Sequence, residues 1–372
     1  MINLSFLIIR LTMLNRFIRG LLNIYRRVLY VLFRLNRNAV MPLGEDCSIS
    51  HFDFDINQGD IVHPCVRYSE NPFKGYHWWL IYTPYYKANA DIENPILCFG
   101  ISENNDPPTK WEVYSQIIDK PSFGYNSDPT MLFDKGSLHI FWRENSTPAT
   151  HRDSLQRATY GCVISENHRH NIEDPILCEK MEFEDKEVSP AIFKYNNVYM
   201  ALAMHIKFKN PHLHSSNIFF EKMNRLFLGV LSILEIYNEQ KSYGIAIWKS
   251  KSLGGRLEYV KTTAIKNSNK LYRPWHLDVF EYENKLYSVI QTTQCNADIC
   301  LAVSDDAENF TMFSDPLITN KSIDKVGIYK PTALVHNGIF YLYYTAQDKD
   351  NRSLNKMYLT SLPFQNVLNH LS

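Results

Sequence analysis

The chain has 372 residues, of which 45% are hydrophobic and 13% aromatic, enough to bury a sizeable core and biased toward the Tyr and Phe that favour strands. Lys+Arg and Asp+Glu both number 39, so no global field gathers nucleic acid or another charged polymer. Seven cysteines, an odd count with no CxxC pair, argue against a disulfide framework and favour reduced thiols, with Cys295 and Cys300 as the alternative pair around a turn.

Residues 1–45 form a segment of their own, ahead of a second region at 46–372. Between residues 1 and 40 there are seven Arg and no acid, and Glu45 is the first acid of the chain. Arg16, Arg19, Asn23, Arg26, Tyr30, Arg34 and Arg37 recur at three- and four-residue steps, opposite Leu14, Phe17, Leu21, Leu22, Tyr25 and Leu29. A basic face opposite an aromatic-rich apolar face predicts a helix lying in a membrane interface, with Arg against anionic head groups. The alternatives are a helix packed on a protein surface and a cleaved leader. The expected location is cytoplasmic and peripheral on the inner membrane face, or, in the alternative, exported.

Five segments then share one pattern: a polar residue, usually Pro, an apolar run, a turn and an aromatic-rich strand. They begin at His63-Pro64, Asp128-Pro129, Ser189-Pro190, His276-Leu277 and Lys330-Pro331. Asn, Asp or Gly mark most of the turns, as at Asp134-Lys135-Gly136, Asn196-Asn197 and Asn337-Gly338. A third strand follows in each, and in three a short fourth. The pattern predicts an all-β, five-bladed β-propeller, since such sheets bury both faces only by stacking around an axis. The long third interval holds an insertion at about 207–240 with the apolar run Phe227–Leu234, read as an added helix or a lid.

Equivalent positions of stacked blades converge on the axis, so the register nominates His63, Asp128, Ser189, His276 and Lys330. Asp60, Glu187, Arg273, Trp275 and Asp278 widen the ring, and Trp78 and Tyr82 offer rings to stack on a sugar. Carboxylates, two His, cations and aromatics together suit a carbohydrate, with one carboxylic acid as general acid and a second as base. No metal motif, phosphate-binding loop or nucleic-acid motif is readable, and His168-Arg169-His170 reads as a solvated loop.

With these residues in view the chain resembles the five-bladed propellers of the glycoside hydrolase family 43 and 32 superfamily, over about residues 58 to 364. His63-Pro64-Cys65-Val66, Tyr76-His77-Trp78-Trp79-Leu80-Ile81-Tyr82-Thr83-Pro84-Tyr85 and Glu93-Asn94-Pro95 also resemble uncharacterised family-43-like proteins of bacteria and phages. The resemblance implies Asp128 as the pKa-tuning acid and Glu187, one residue out of register, as the general acid. It wants a base where this chain has His63, with Asp60 three residues earlier, and it implies an axial calcium near His276. The expected function is a glycoside hydrolase-like enzyme acting on a bacterial surface polysaccharide or its precursor. In this reading Asp128, Glu187 and Asp60 are catalytic, and His63, Trp78, Tyr82, Ser189, Arg273, His276, Asp278 and Lys330 bind substrate. The alternatives are a membrane-associated transferase or accessory factor in capsule or lipopolysaccharide assembly, working on a lipid-linked sugar, and a non-catalytic glycan-binding propeller.

Overall fold

A computed structural model describes residues 39–50, 60–86, 89–102, 106–146, 156–165, 178–181, 187–206, 243–253, 257–266, 273–293, 298–320, 322–323, 325–348 and 354–371. The basic helix expected within 1–40, the insertion at 207–240, the His168–His170 loop and Cys295 lie outside these residues, apart from positions 39 and 40.

After β1 (Glu45–Ser50), strands follow in four-stranded units in which each strand pairs with the next. The first unit is β2 (Ile61–Phe73), β3 (Tyr76–Pro84), β4 (Ile96–Gly100) and β5 (Lys110–Gln116). The second is β6 (Gly124–Asp134), β7 (Ser137–Ser146), β8 (Gln156–Ser165) and β9 (Cys178–Met181). The third is β10 (Glu187–Tyr195), β11 (Val198–Ile206), β12 (Tyr243–Ser250) and β13 (Glu258–Thr263). The fourth is β14 (Arg273–Tyr282), β15 (Lys285–Thr293), β16 (Asp298–Ser304) and β17 (Thr311–Thr319). The last is β18 (Lys325–His336), β19 (Ile339–Asp348) and β20 (Asn355–Pro363), with α1 (Phe364–Leu371) behind it. The inner strands β2, β6, β10, β14 and β18 stand against one another in that cyclic order, and β18 returns to β2. The chain is an all-β propeller.

The first two strands of every unit meet in the same tight turn. Lys74-Gly75, Lys135-Gly136, Asn196-Asn197, Glu283-Asn284 and Asn337-Gly338 all have positive φ at both residues. That backbone twist matches the twist of the flanking strands, which is why Asn and Gly recur there.

The ring is closed by β1. It pairs antiparallel with β20 (Asp46↔Tyr358) and parallel with β5 (Ile49↔Trp111), fusing the last and first units into one eight-stranded sheet. Gly44 permits the approach, because a Cβ there would lie 2.8 Å from the Leu359 carbonyl oxygen and from the Tyr344 hydroxyl. Residues 39–44 already belong to the propeller: Val40 and Met41 donate backbone hydrogen bonds to Leu317, and the Met41 side chain is buried.

Apolar layers fill the spaces between neighbouring sheets. Trp79, Ile81, Met131, Ile140 and Trp142 pack between the first and second units. Trp78, Tyr82, Trp111, Tyr343 and Leu359 pack between the last and the first. Trp78 and Tyr82 were expected to stack on a sugar; they are 1% and 0% exposed inside this layer, and the alternation of β3 turns them away from the axis. Cys47, Cys65 and Cys98 are buried free thiols. Among the described residues no helix is long and apolar enough to cross a membrane.

One ion pair ties the first, fourth and last units. Arg67 donates from Nη1 (2.8 Å) and Nη2 (2.7 Å) to the two carboxylate oxygens of Asp278. The Thr332 hydroxyl donates to the same carboxylate at 2.6 Å. Burial would raise the Asp278 pKa, but Arg67 and these hydrogen bonds hold it below the usual carboxylate range. Asp278, expected to bind substrate, is thus already engaged. Removing one partner strands a buried charge, so Asp278→Ala should lower the unfolding free energy by about 3–5 kcal/mol in urea titrations. An Arg67→Met, Asp278→Leu double variant should recover most of that loss.

Candidate functional site

The axial site is set by an irregularity repeated in the inner strands. Between Val62 and Cys65, Ser127 and Thr130, Val188 and Ala191, and Tyr329 and Thr332, the inner strand carries one residue more than its partner. Each skipped stretch contains a proline: Pro64, Pro129, Pro190 or Pro331. Proline has no N–H to give the ladder, so pairing breaks there and the residue before it is re-aimed. His63 and Asp128 take φ of 54° and 52°, a left-handed backbone uncommon for such residues. In β14 Leu277 replaces the proline. Leu277 pairs with Ile290, and the irregularity moves to Trp275, beside Pro274.

Four of the five nominated residues converge. Asp128 is fully buried, with Oδ1 3.3 Å from His63 Nε2, 3.8 Å from His276 Nδ1 and 3.9 Å from Lys330 Nζ. Its Oδ2 is 2.6 Å from Arg143 Nη2. The rings of His63 and His276 meet edge-on at 5.5 Å, and Tyr329 lies 4.5 Å from His276, ring to ring. The Tyr329 hydroxyl is 3.3 Å from His63 Nε2. On the far edge of His63, Nδ1 is 3.0 Å from Glu93 Oε2. Lys330 Nζ donates to the Pro129 carbonyl at 3.2 Å.

Ser189, Glu187 and Arg273 stand on β10 and β14 by their backbones, and their side chains lie outside the description. Asp60 is buried at the entry to β2, where Oδ1 accepts the Asn355 backbone N–H (2.8 Å) and its Nδ2–H (2.7 Å). Its described contacts anchor the start of β20. Arg143, Glu93 and Tyr329 were not nominated from sequence. Arg143 stands in β7 directly after the aromatic run Leu138–Trp142, opposite Ser127, where the apolar pattern turns polar.

Charge explains how a buried carboxylate persists here. Burial would raise the Asp128 pKa, but Arg143, His63, Lys330 and His276 outweigh it and hold the carboxyl well below its usual range. Burial holds the His276 imidazole well below its ordinary range, against the pull of Asp128. It also lowers Lys330. Burial, with Asp128 and Glu93 nearby, keeps the Tyr329 phenol protonated.

Asp128 Oδ1 and one nitrogen each of His63 and His276 lie within 4.8 Å of one another. Two ligands bound at ~2.1 Å to one ion span up to about 4 Å, so the 3.3 and 3.8 Å separations from Asp128 suit a shared cation. Two imidazole nitrogens and one carboxylate fit zinc or a neighbouring transition metal, whereas calcium takes six or more oxygens.

A histidine kept neutral by the fold takes up its proton on unfolding, so the unfolded chain binds more protons than the native one below the ordinary histidine pKa of ~6.5. Stability of the chelator-treated protein should therefore rise with pH through that range and fall below it. His276→Gln should flatten this limb in urea titrations at several pH values.

No protein-family profile matches the chain, and no curated protein matches it in sequence. Solved structures do match. An N-acetylgalactosamine deacetylase from F. plautii, in complex with blood group B trisaccharide, superposes with a TM-score of 0.60 at 13% identity, over 89% of this chain and 97% of that one. A family 43 β-xylosidase/α-arabinofuranosidase from a compost microbial metagenome, in complex with xylotriose, gives 0.55 at 14%, over 86% and 95%. A GH43_1 enzyme from Xanthomonas citri gives 0.53 at 12%, over 82% and 88%. At such identities the likeness is one of architecture: this chain has the β-propeller fold of the family 43 glycoside hydrolase structures.

Proposed function

We propose that the chain is a carbohydrate-active hydrolase that removes an acyl substituent, such as an N-acetyl group, from a glycan at the axial cluster. One observation carries this reading: among the described residues a single carboxylate, Asp128, converges with two imidazoles at the axis. Glycoside hydrolysis usually needs two carboxyl groups facing each other across the sugar, roughly 5–10 Å apart. Among the described residues Glu93 sits behind His63, Asp60 holds Asn355 and Asp278 holds Arg67. The F. plautii neighbour, a deacetylase by name, is covered over almost its whole length, which supports the same choice.

In this reading His63, Asp128 and His276 hold a divalent cation. When bound, such a cation polarises a carbonyl and lowers the pKa of a bound water. The protein groups around it have definable tasks. Arg143 and Lys330 flank Asp128 with positive charge suited to an oxyanion developing on the acyl carbon. Tyr329 keeps its phenolic proton and offers an O–H donor beside His63. Burial of Asp128 and His276 lowers the local dielectric, which strengthens each of these interactions. The basic segment before residue 39 favours a substrate met at a membrane surface.

A second reading keeps glycosidic cleavage, with Glu187 as the acid. It is favoured by the place of β10, which begins at Glu187 and stands in the inner ring between β6 and β14. One screen of the full chain against N-acetylated oligosaccharides and aryl glycosides separates the two. The first reading expects acetate release that is lost on chelation, restored by zinc and abolished in Asp128→Asn. Arg143→Gln should then lower kcat by about 10²–10³-fold. Release of reducing sugar that survives chelation and disappears in Glu187→Gln would replace the first reading with the second.

A further inference from the structure

We infer that Glu93 is the positioning residue of the axial cluster: it accepts a hydrogen bond from His63 Nδ1–H and so turns the Nε2 lone pair toward Asp128 and His276. The inference rests on reading that cluster as a cation site.

An imidazole offers one basic nitrogen at a time, and the hydrogen bond made by the other decides which. His63 has acceptors on both edges. Glu93 Oε2 lies 3.0 Å from Nδ1, and Asp128 Oδ1 lies 3.3 Å from Nε2. Distance breaks the symmetry: the Nδ1 contact to Glu93 is the shorter, and the Thr83 hydroxyl only adds to it. That hydroxyl is 3.0 Å from Nδ1 and donates to Glu93 Oε2 at 3.3 Å, so an Nδ1–H meets two oxygens on that side. On the Nε2 side Asp128 is already drawn to Arg143 at 2.6 Å, and the Tyr329 hydroxyl is 3.3 Å away. The proton is therefore better satisfied on the Glu93 edge, which leaves Nε2 as the atom presented to the axis.

Glu93 is built to hold its place. It is 3% exposed and follows a 3-10 turn, Ala90–Ile92, whose Asn89 cap accepts the Asp91 N–H at 3.0 Å. Its own N–H returns to the Ala90 carbonyl at 3.0 Å. Its carbonyl accepts the Asn126 N–H at 3.1 Å, and Asn126 Nδ2 donates to Asn94 Oδ1 at 2.8 Å. Asn126 lies two residues before Asp128 on β6. The segment carrying Glu93 is thus bonded to the strand carrying Asp128, and the two carboxylates that bracket His63 are fixed relative to each other.

The test uses the full chain and two readouts: long-range ¹⁵N spectra of the His63 imidazole, and zinc affinity from competition with a chromophoric chelator. Wild type and Glu93→Gln, whose amide oxygen still accepts, should show Nδ1 protonation and similar zinc affinity. Glu93→Leu should lose the Nδ1–H signature and bind zinc about 10–100-fold more weakly, the usual cost of removing such a supporting carboxylate. Thr83→Val, which leaves Glu93 in place, should stay close to wild type and serves if the leucine variant fails to fold; a large loss there would move the role to Thr83 and overturn the inference. Wild-type protein protonated on Nε2, or a Glu93→Leu variant with unchanged spectrum and affinity, would also overturn it. His63→Ala separates the two levels. If it binds zinc as wild type does, the cation site itself fails, while the imidazole spectra still decide the role of Glu93.

Discussion

A carboxylate sealed from water persists as an anion only if positive charge reaches it from within the protein, and Asp128 draws that charge from the whole ring. Arg143 comes from the second strand of its own unit, His63 from the first, His276 from the fourth and Lys330 from the last. No single sheet supplies more than part of the set, so the site exists only when the ring is closed. The contacts that bind the units together are therefore the same ones that gather a charged, largely dry centre at the axis.

Backbone chemistry makes this convergence possible. A regular strand would point alternate side chains into the two packing layers and none along the axis. The extra residue beside each proline breaks that alternation where the strand passes the axis. The fourth unit shows that the proline is the means and the turned side chain the end, because His276 arrives at the axis with Leu277 behind it and the irregularity displaced to Trp275. Arg67, Asp278 and Thr332 add a second buried polar set that ties the first, fourth and last units.

Much of this was legible in the residues. The hairpin signals at Asn196-Asn197, Glu283-Asn284 and Asn337-Gly338 gave the turns, and the register of polar residues at the repeat starts, three before proline and His276 before leucine, gave four members of the cluster. What escaped had no local signal. Glu45–Ser50 lacks the aromatic richness of the other strands, because as an outer strand it is largely exposed. Trp78 and Tyr82 were misread because aromatic content reports burial and sugar stacking alike, and only the face of β3 separates them. Arg67 and Asp278 sit in different units, and their bidentate pairing depends on a distance that no spacing encodes. Glu93 was visible as part of a distinctive segment, but its reach to His63 depends on how that segment folds back over β6.

The seam at β1 gives the molecule a direction in time. Glu45–Ser50 leaves the ribosome before any other described strand, yet one of its two partners, Asn355–Pro363, is the last strand made. Its bonds to β5 can form early, but the clasp that joins the two ends of the sheet must wait for nearly the whole polypeptide. Until then the first unit exposes a flank whose proper cover, the apolar face of β18 to β20, has not been synthesised. Because His63 of the first unit and Lys330 of the last both reach Asp128, damage near either end of the ring should be felt at the axis before it is felt in any single sheet.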